Sequence, residues 1–148
     1  MKILLENMFA AHRGKLVSAC CSDITNACRY IDTLNDIAGE NLFGFCLDVG
    51  HTHFAGLDLY EAMVELGSRI DAFHVHDNDG WDDQHLAPFM GITDWDRFCK
   101  GLAAIGYDKT MSFETFAVWD QYPPELAPDV MKMIHTEGQY LLKKAGLA

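Results

Sequence analysis

Residues 70–80 read IDAFHVHDNDG: a short apolar run that ends on an imidazole, His76, and breaks at once into a polar turn. A strand covered on both faces gives a nearly continuous apolar run of this length, and the sudden polarity marks its end. The same pattern recurs three more times: KILLE ends at Glu6, LFGFCLD at Asp48 and KTMSFE at Glu114, each closing on an ionisable residue. Longer segments with helical periodicity separate the four runs, so the chain reads as a βα repeat.

The helical segments are bounded by recognisable stops. Ile24, Ala27, Cys28, Ile31 and Leu34 share one face of the first, with Ser22 or Asp23 as its cap and Gly39 as its end. Asp58 opens the second, which buries Leu59, Ala62, Met63 and Leu66 before Gly67. Thr93 and Asp96 form a capping-box pattern for the third, with Trp95, Phe98, Leu102 and Ile105 inward and Gly106 closing it. The fourth is expected from about Pro128 to Lys144, burying Val130, Met131, Ile134 and Leu141.

Alternating strands and helices imply a parallel sheet with right-handed crossovers, either doubly wound or part of a barrel. No glycine-rich phosphate loop follows the first strand and GxGxxG is absent, which leaves a dinucleotide-binding fold without support. A complete (β/α)8 barrel takes about 250 residues. Four units in 148 residues fit half of one, so the α/β fold expected is four βα units of a TIM barrel, residues 1–148 forming one folded unit.

Composition narrows the partners. A net charge of -11 works against nucleic acid, because such binding draws its affinity from Lys and Arg set against phosphates. Five cysteines, Cys20, Cys21, Cys28, Cys46 and Cys99, are odd in number and form no CxxC pair, as expected of a reducing cytoplasm. No apolar run is long enough to cross a membrane, and MKILLENMF meets Glu6 too early for a signal peptide. A soluble cytoplasmic protein is expected.

Reactive groups of parallel α/β proteins sit at the carboxyl ends of strands. Taken singly, Glu6 and Glu114 could be solvated strand ends, Asp48 a helix cap and His76 a hydrogen-bonded half-buried histidine. Four of four at equivalent positions points elsewhere. Parallel neighbours would bring three carboxylates and an imidazole together with nothing to neutralise them except a cation. That set suits one divalent ion, manganese, magnesium, cobalt or zinc. Such an ion can hold a hydroxyl and a neighbouring carbonyl of a sugar while a carboxylate moves the proton, which is isomerase or epimerase chemistry. His74, on the strand of His76, is read as facing the opposite side and stays outside the ligand set. His53 and Phe54 are expected in a loop lining a pocket, and Trp81, Phe89 and Trp119 are aromatics available to stack on a sugar. His12 and His135 read as surface residues.

LLEN, CLDVGH, HVHDNDG with a following DQHL, and SFE together resemble the C-terminal half of the xylose isomerase-like superfamily of sugar phosphate isomerases and epimerases. The resemblance covers essentially the whole chain and implies Glu6, Asp48, His76 and Glu114 as metal ligands, with Glu6 and Glu114 as the acid and base. It also implies that His51 contacts a substrate oxygen or, as in the apurinic endonuclease branch, joins Asp83 and His85 around a second metal. The ketose 3-epimerases carry a glutamate and an arginine where this chain has His12 and Asp82, which implies a different substrate.

The partner expected is therefore a sugar or sugar phosphate, with neither nucleic acid nor membrane. A half-barrel would expose two sheet edges, and self-association through them is the corresponding expectation. Two alternatives accompany the isomerase reading: a zinc-dependent apurinic endonuclease-like phosphodiesterase, and a non-catalytic fragment that retains the metal site.

Overall fold

The computed structural model describes residues 1–148. Four parallel strands form one sheet in the order β1 (Ile3–Glu6), β4 (Phe43–Asp48), β5 (Ile70–Val75), β6 (Thr110–Phe113). Their pairing brings the ends into line: Glu6 sits opposite Cys46 and Asp48 opposite His74, while Glu114 immediately follows β6. This is a parallel α/β arrangement of TIM-barrel type, as the repeat predicts.

Long helices cover one face. They are α1 (Ile24–Ala38), α3 (Leu59–Leu66), α4 (Trp95–Ile105) and α6 (Ala127–Lys144). Phe45, Leu47, Ile70, Phe73 and Val75 pack from the sheet against Ile31, Met63, Leu66, Phe98 and Leu102 of the helices, all within one core. The opposite face, carrying Leu4, Glu6, Cys46, Asp48, Ala72 and His74, contributes nothing to that core. In a closed barrel it would be the interior. β1 and β6 each have only one neighbour, so both edges of the sheet are open.

Caps explain most of the helix boundaries. Asp23 accepts the Asn26 N–H, Asp58 the Glu61 N–H and Asp94 the Arg97 N–H. Gly39 and Gly106 end α1 and α4 at positive φ. Two expectations need correction. The third helix is capped by Asp94 and not by Thr93, whose backbone N–H is instead drawn to Asp77 Oδ1. Met131 is exposed, and the buried stripe of α6 is Val130, Ile134, Gly138 and Leu141; the Phe113 ring lies where a side chain on Gly138 would go.

Two strands and two short helices have no counterpart among the elements expected from sequence. A hairpin, β2 (Phe9–His12) and β3 (Lys15–Ser18), leaves the end of β1 and turns at Arg13 and Gly14, both at positive φ. A short helix α2 (Val49–Phe54) starts directly after Asp48, so His51, His53 and Phe54 are helical and not in a loop. Another, α5 (Phe116–Trp119), follows Glu114 closely.

Candidate metal centre at the carboxyl end of the sheet

Asp48 ends β4 and caps α2 at the same time. One carboxylate oxygen accepts the His51 N–H at 2.8 Å, and Thr52 Oγ1 donates to its carbonyl at 2.8 Å. The capping explanation of Asp48 is thus correct and insufficient, since the same buried carboxylate also lies against His76 Nε2 at 3.0 and 3.2 Å. Asn7 fixes the strand end from the other side. Its amide donates to Asp48 O at 2.9 Å, its oxygen accepts the Asp48 N–H at 2.8 Å, and its carbonyl meets His51 Nδ1 at 2.9 Å.

That last bond sets a tautomer. With Nδ1–H of His51 donating to the Asn7 carbonyl, its Nε2 faces Asp83 Oδ2 at 3.6 Å. His85 repeats the device: Nδ1 meets the Glu114 carbonyl at 2.9 Å and Nε2 meets Asp83 Oδ2 at 3.0 Å. An imidazole anchored through one nitrogen to a carbonyl, with the other aimed at a shared anion, has the support that metal-ligating histidines receive. His76 Nδ1 is fully buried with no hydrogen-bond partner. The ring lies where a side chain on Gly50 would go, with its Cε1 2.0 Å from the Cβ position.

Glu6 and Glu114 meet at a residue that the sequence reading misplaced. His74 Nδ1 lies 3.1 Å from Glu6 Oε1, 3.3 Å from Glu114 Oε1 and 4.0 Å from Asp48 Oδ2. Side chains two apart on a strand point to the same face, so His74 and His76 share the concave side. His74 belongs to the cluster.

The loop after His76 is held by Asp77, which is wholly buried. Its carboxylate accepts N–H bonds from Gly91 and Thr93, both at 3.0 Å, and from Trp95 Nε1 at 3.2 Å. Backbone bonds between Asp77 and Leu86 close the loop at 2.8 and 2.9 Å. A side chain at Gly91 would strike the Asn78 carbonyl at 2.2 Å. This framework delivers Asp83 and His85 to the site, with His85 in the left-handed region at φ 49°.

No lysine or arginine comes within 4.0 Å of Glu6, Asp48, Asp83 or Glu114, whose charged partners are all histidines. Burial alone would depress the pKa of His51, but Asp83 and Asp48 outweigh it and raise it to about 9. His76 shows the same balance, lowered by burial and raised further by Asp48. On the same concave face, burial and the charges of Glu6, Asp48 and Glu114 push the Cys46 thiol up to about 12. Three sets of side chains bring ligand atoms within 4.8 Å of one another: Asp48, His51 and His76; His76, Asp83 and His85; Glu6, Asp48 and His74. A surplus of carboxylates with oriented imidazoles fits a divalent cation.

Similarity to known proteins agrees with the geometry. Residues 1–136 match the family described as the xylose isomerase-like TIM barrel. The chain belongs to that family. Over 76 residues, 51% of the chain, it is 40% identical to the uncharacterized protein y4fM of Sinorhizobium fredii, covering 24% of that protein. Over 92 residues, 61% of the chain, it is 34% identical to the uncharacterized protein MJ1311 of Methanocaldococcus jannaschii, covering 31% of it. Among solved structures, a D-tagatose 3-epimerase-like protein superposes with a TM-score of 0.57 and 23% identity, over 93% of this chain and 49% of that one. The chain therefore matches less than a third of each of these two curated relatives and about half of the solved barrel.

Within this xylose isomerase-like domain, the aromatics at the site are mostly not those singled out in sequence. Phe9 from the hairpin meets the His51 ring at 4.8 Å and Phe54 at 5.0 Å, and Phe116 stacks on His85 at 4.0 Å. Trp81 is 81% exposed, and Phe89 packs on Trp95 and Tyr140. Trp119 lies beside the groove between β6 and α6. His12, His135 and Asp82 are exposed. No helix is long and apolar enough to cross a membrane.

Proposed function

We propose that this domain supplies the metal-binding side of a divalent-metal-dependent sugar or sugar-phosphate isomerase or epimerase. One observation carries the reading: Glu6, Asp48, His76 and Glu114 end four adjacent parallel strands, and no lysine or arginine neutralises them. Glu6, Asp48 and Glu114 would hold the ion together with His74, the imidazole that lies against all three; His76, expected as the fourth ligand, meets Asp48 and Asp83 and neither glutamate. A bound divalent cation supplies polarisation of a sugar carbonyl and its neighbouring hydroxyl.

The remaining work falls to side chains of this chain. Glu6 and Glu114 approach the same nitrogen of His74 from opposite strands, so both reach one small volume. A carbon bound there can lose its proton to one carboxylate and regain one from the other. His51 turns Nε2 toward Asp83, beside that volume, and is suited to a substrate oxygen. Phe9, Phe54 and Phe116 form apolar walls that would exclude water. Its two open edges, β1 and β6, are suited to completion by self-association.

A second reading has its own observation. His51, Asp83 and His85 converge through a shared carboxylate, the arrangement of a second zinc in an apurinic endonuclease-like phosphodiesterase. The charge of -11 weighs against a nucleic-acid substrate. Cleavage of an abasic duplex would favour this reading over the first.

Elemental analysis after dialysis against metal-free buffer tests the proposal. Wild type is expected to retain about one divalent ion per chain, and Glu114→Gln to retain almost none. Wild type without metal overturns the reading and leaves a non-catalytic domain.

A further inference from the structure

Away from the metal centre, Cys20 and Cys21 occupy the middle of a β-turn that closes when the Ser22 N–H reaches the Ala19 carbonyl at 3.3 Å. Their sulfurs already stand 3.5 Å apart. Cys20 is exposed and Cys21 half-buried, whereas Cys28, Cys46 and Cys99 are buried. Cys21 adopts φ 58°, a conformation usually left to glycine or asparagine at the third position of a turn. Cys21 rests on the edge of the core, but that packing does not account for an exposed thiol in contact with it on a strained turn.

The turn is tied to the site by a short chain of bonds. The Cys20 carbonyl accepts the Met8 N–H at 2.8 Å, and the Met8 carbonyl accepts the Ala19 N–H at 2.9 Å as well as the Ser22 hydroxyl. Met8 follows Asn7, the residue that clamps Asp48 and anchors His51. Movement of the turn therefore has a bonded route to the end of β1.

We infer that Cys20 and Cys21 form a redox modification site, which a peroxide closes into a vicinal disulfide that disturbs the Met8–Asn7 segment. The Cys20 thiolate attacks one peroxide oxygen, the O–O bond breaks, and the leaving oxygen departs as water after protonation. The Cys21 sulfur then displaces the sulfenic oxygen of Cys20 as a second water. Two thiols lose two electrons and hydrogen peroxide gains them. Cys20 is the sulfur that reacts first because it is exposed; burial and its neighbour hold the Cys21 thiol up at about 11.

The resulting bond is a labile one. Neighbouring Cα atoms lie about 3.8 Å apart, below the roughly 4.4 Å lower limit of ordinary disulfides. Such strain places the couple among easily reduced, regulatory disulfides and not among structural staples. The inference stands independently of the reaction proposed above.

Oxidation of the intact chain with hydrogen peroxide, followed by alkylation, cleavage before Asp23 and mass measurement, tests it, since fragment 1–22 contains only Cys20 and Cys21. The expected product is unalkylated, about 2 Da lighter and restored by dithiothreitol. Amide exchange at Met8 is expected to accelerate at least about tenfold in the oxidised form. Cys21→Gly, which suits the positive φ, is expected to fold and to let Cys20 accumulate oxygen atoms. The inference is overturned by over-oxidised Cys20 beside an alkylated Cys21 in wild type, by a disulfide joining two chains, or by an internal disulfide that leaves Met8 exchange unchanged.

Discussion

At the amino end of the sheet, Asp71 lies between two lysines: Lys2 Nζ is 2.7 Å from one oxygen and Lys109 Nζ 2.7 Å from the other. At the carboxyl end, Glu6, Asp48, Asp83 and Glu114 gather with histidines alone. Each end also has a glycine that makes room for its charged group. A side chain on Gly44 would meet Asp71 Oδ2 at 1.9 Å, and one on Gly50 would meet the His76 ring at 2.0 Å. One end therefore satisfies its carboxylate within the protein, as a structural ion pair. The other gathers four carboxylates against imidazoles, with no lysine or arginine beside them, which is the arrangement of a cation site.

The comparison breaks most decisively at Asp48. Asp48→Asn removes the buried carboxylate that His76 faces, yet keeps an oxygen able to cap α2. Divalent-metal affinity is expected to fall by more than about 100-fold, beyond the loss typical of outer-shell partners. In wild type, metal at about 100 times its Kd adds about 2.7 kcal/mol. For a domain of this size that raises Tm by roughly 5–10 °C. Differential scanning fluorimetry with and without metal reads both proteins; an equal shift in Asp48→Asn would place the ion elsewhere.

The glycine pair separates the ends more finely. Gly50→Ala is expected to displace His76 and cost about 1–3 kcal/mol through overpacking, together with most of the metal-induced shift. Gly44→Ala is expected to lose about 1–2 kcal/mol by pushing Asp71 from its lysines, with the metal-induced shift retained. Urea unfolding gives the stabilities and fluorimetry the shifts. If both variants lost metal equally, the two ends would not be independent.

The same contrast shows what could be read from the sequence. The four strands and their terminal residues were legible because each combines a buried apolar run with one ionisable end, a local pattern. Asp23 and Asp58 were legible as caps for the same reason. Asp71 was not, because its meaning depends on Lys2 and Lys109, which adjoin other strands. His74 lies on the concave face and not on the opposite one expected for it, since the two-residue repeat of a strand places it beside His76. Asn7 and Asp77 carry no local signal, because they act by bonding backbone groups far away in sequence, 41 residues for Asn7 and up to 16 for Asp77. The Arg13–Gly14 pair offers a turn signal for the hairpin, but FAAH at Phe9–His12 lacks the alternation of a strand. Phe116 carried none, since its partner His85 is brought to it only by the folded loop.

The smallest effect expected is also the cleanest test of how the amino end is held. Burial alone would raise the pKa of Asp71, but Lys109 and Lys2 outweigh it and hold it below the usual carboxylate range. A group whose folded pKa is depressed contributes its full stability above the unfolded value, about 3.9, and loses it as pH falls toward the folded one. Both lysines are about a third exposed, so solvent screens the pairs and the contribution is about 1 kcal/mol. Asp71→Asn is therefore expected to lower Tm by roughly 2–4 °C. That gap should stay constant from about pH 7 to 5 and shrink below about pH 4, as the wild-type carboxylate takes up its proton. Melting curves of metal-free protein across this range measure it. A gap that persisted at pH 3 would mean that Asp71 acts through its shape and hydrogen bonds, and the charge compensation that distinguishes the two ends would be lost.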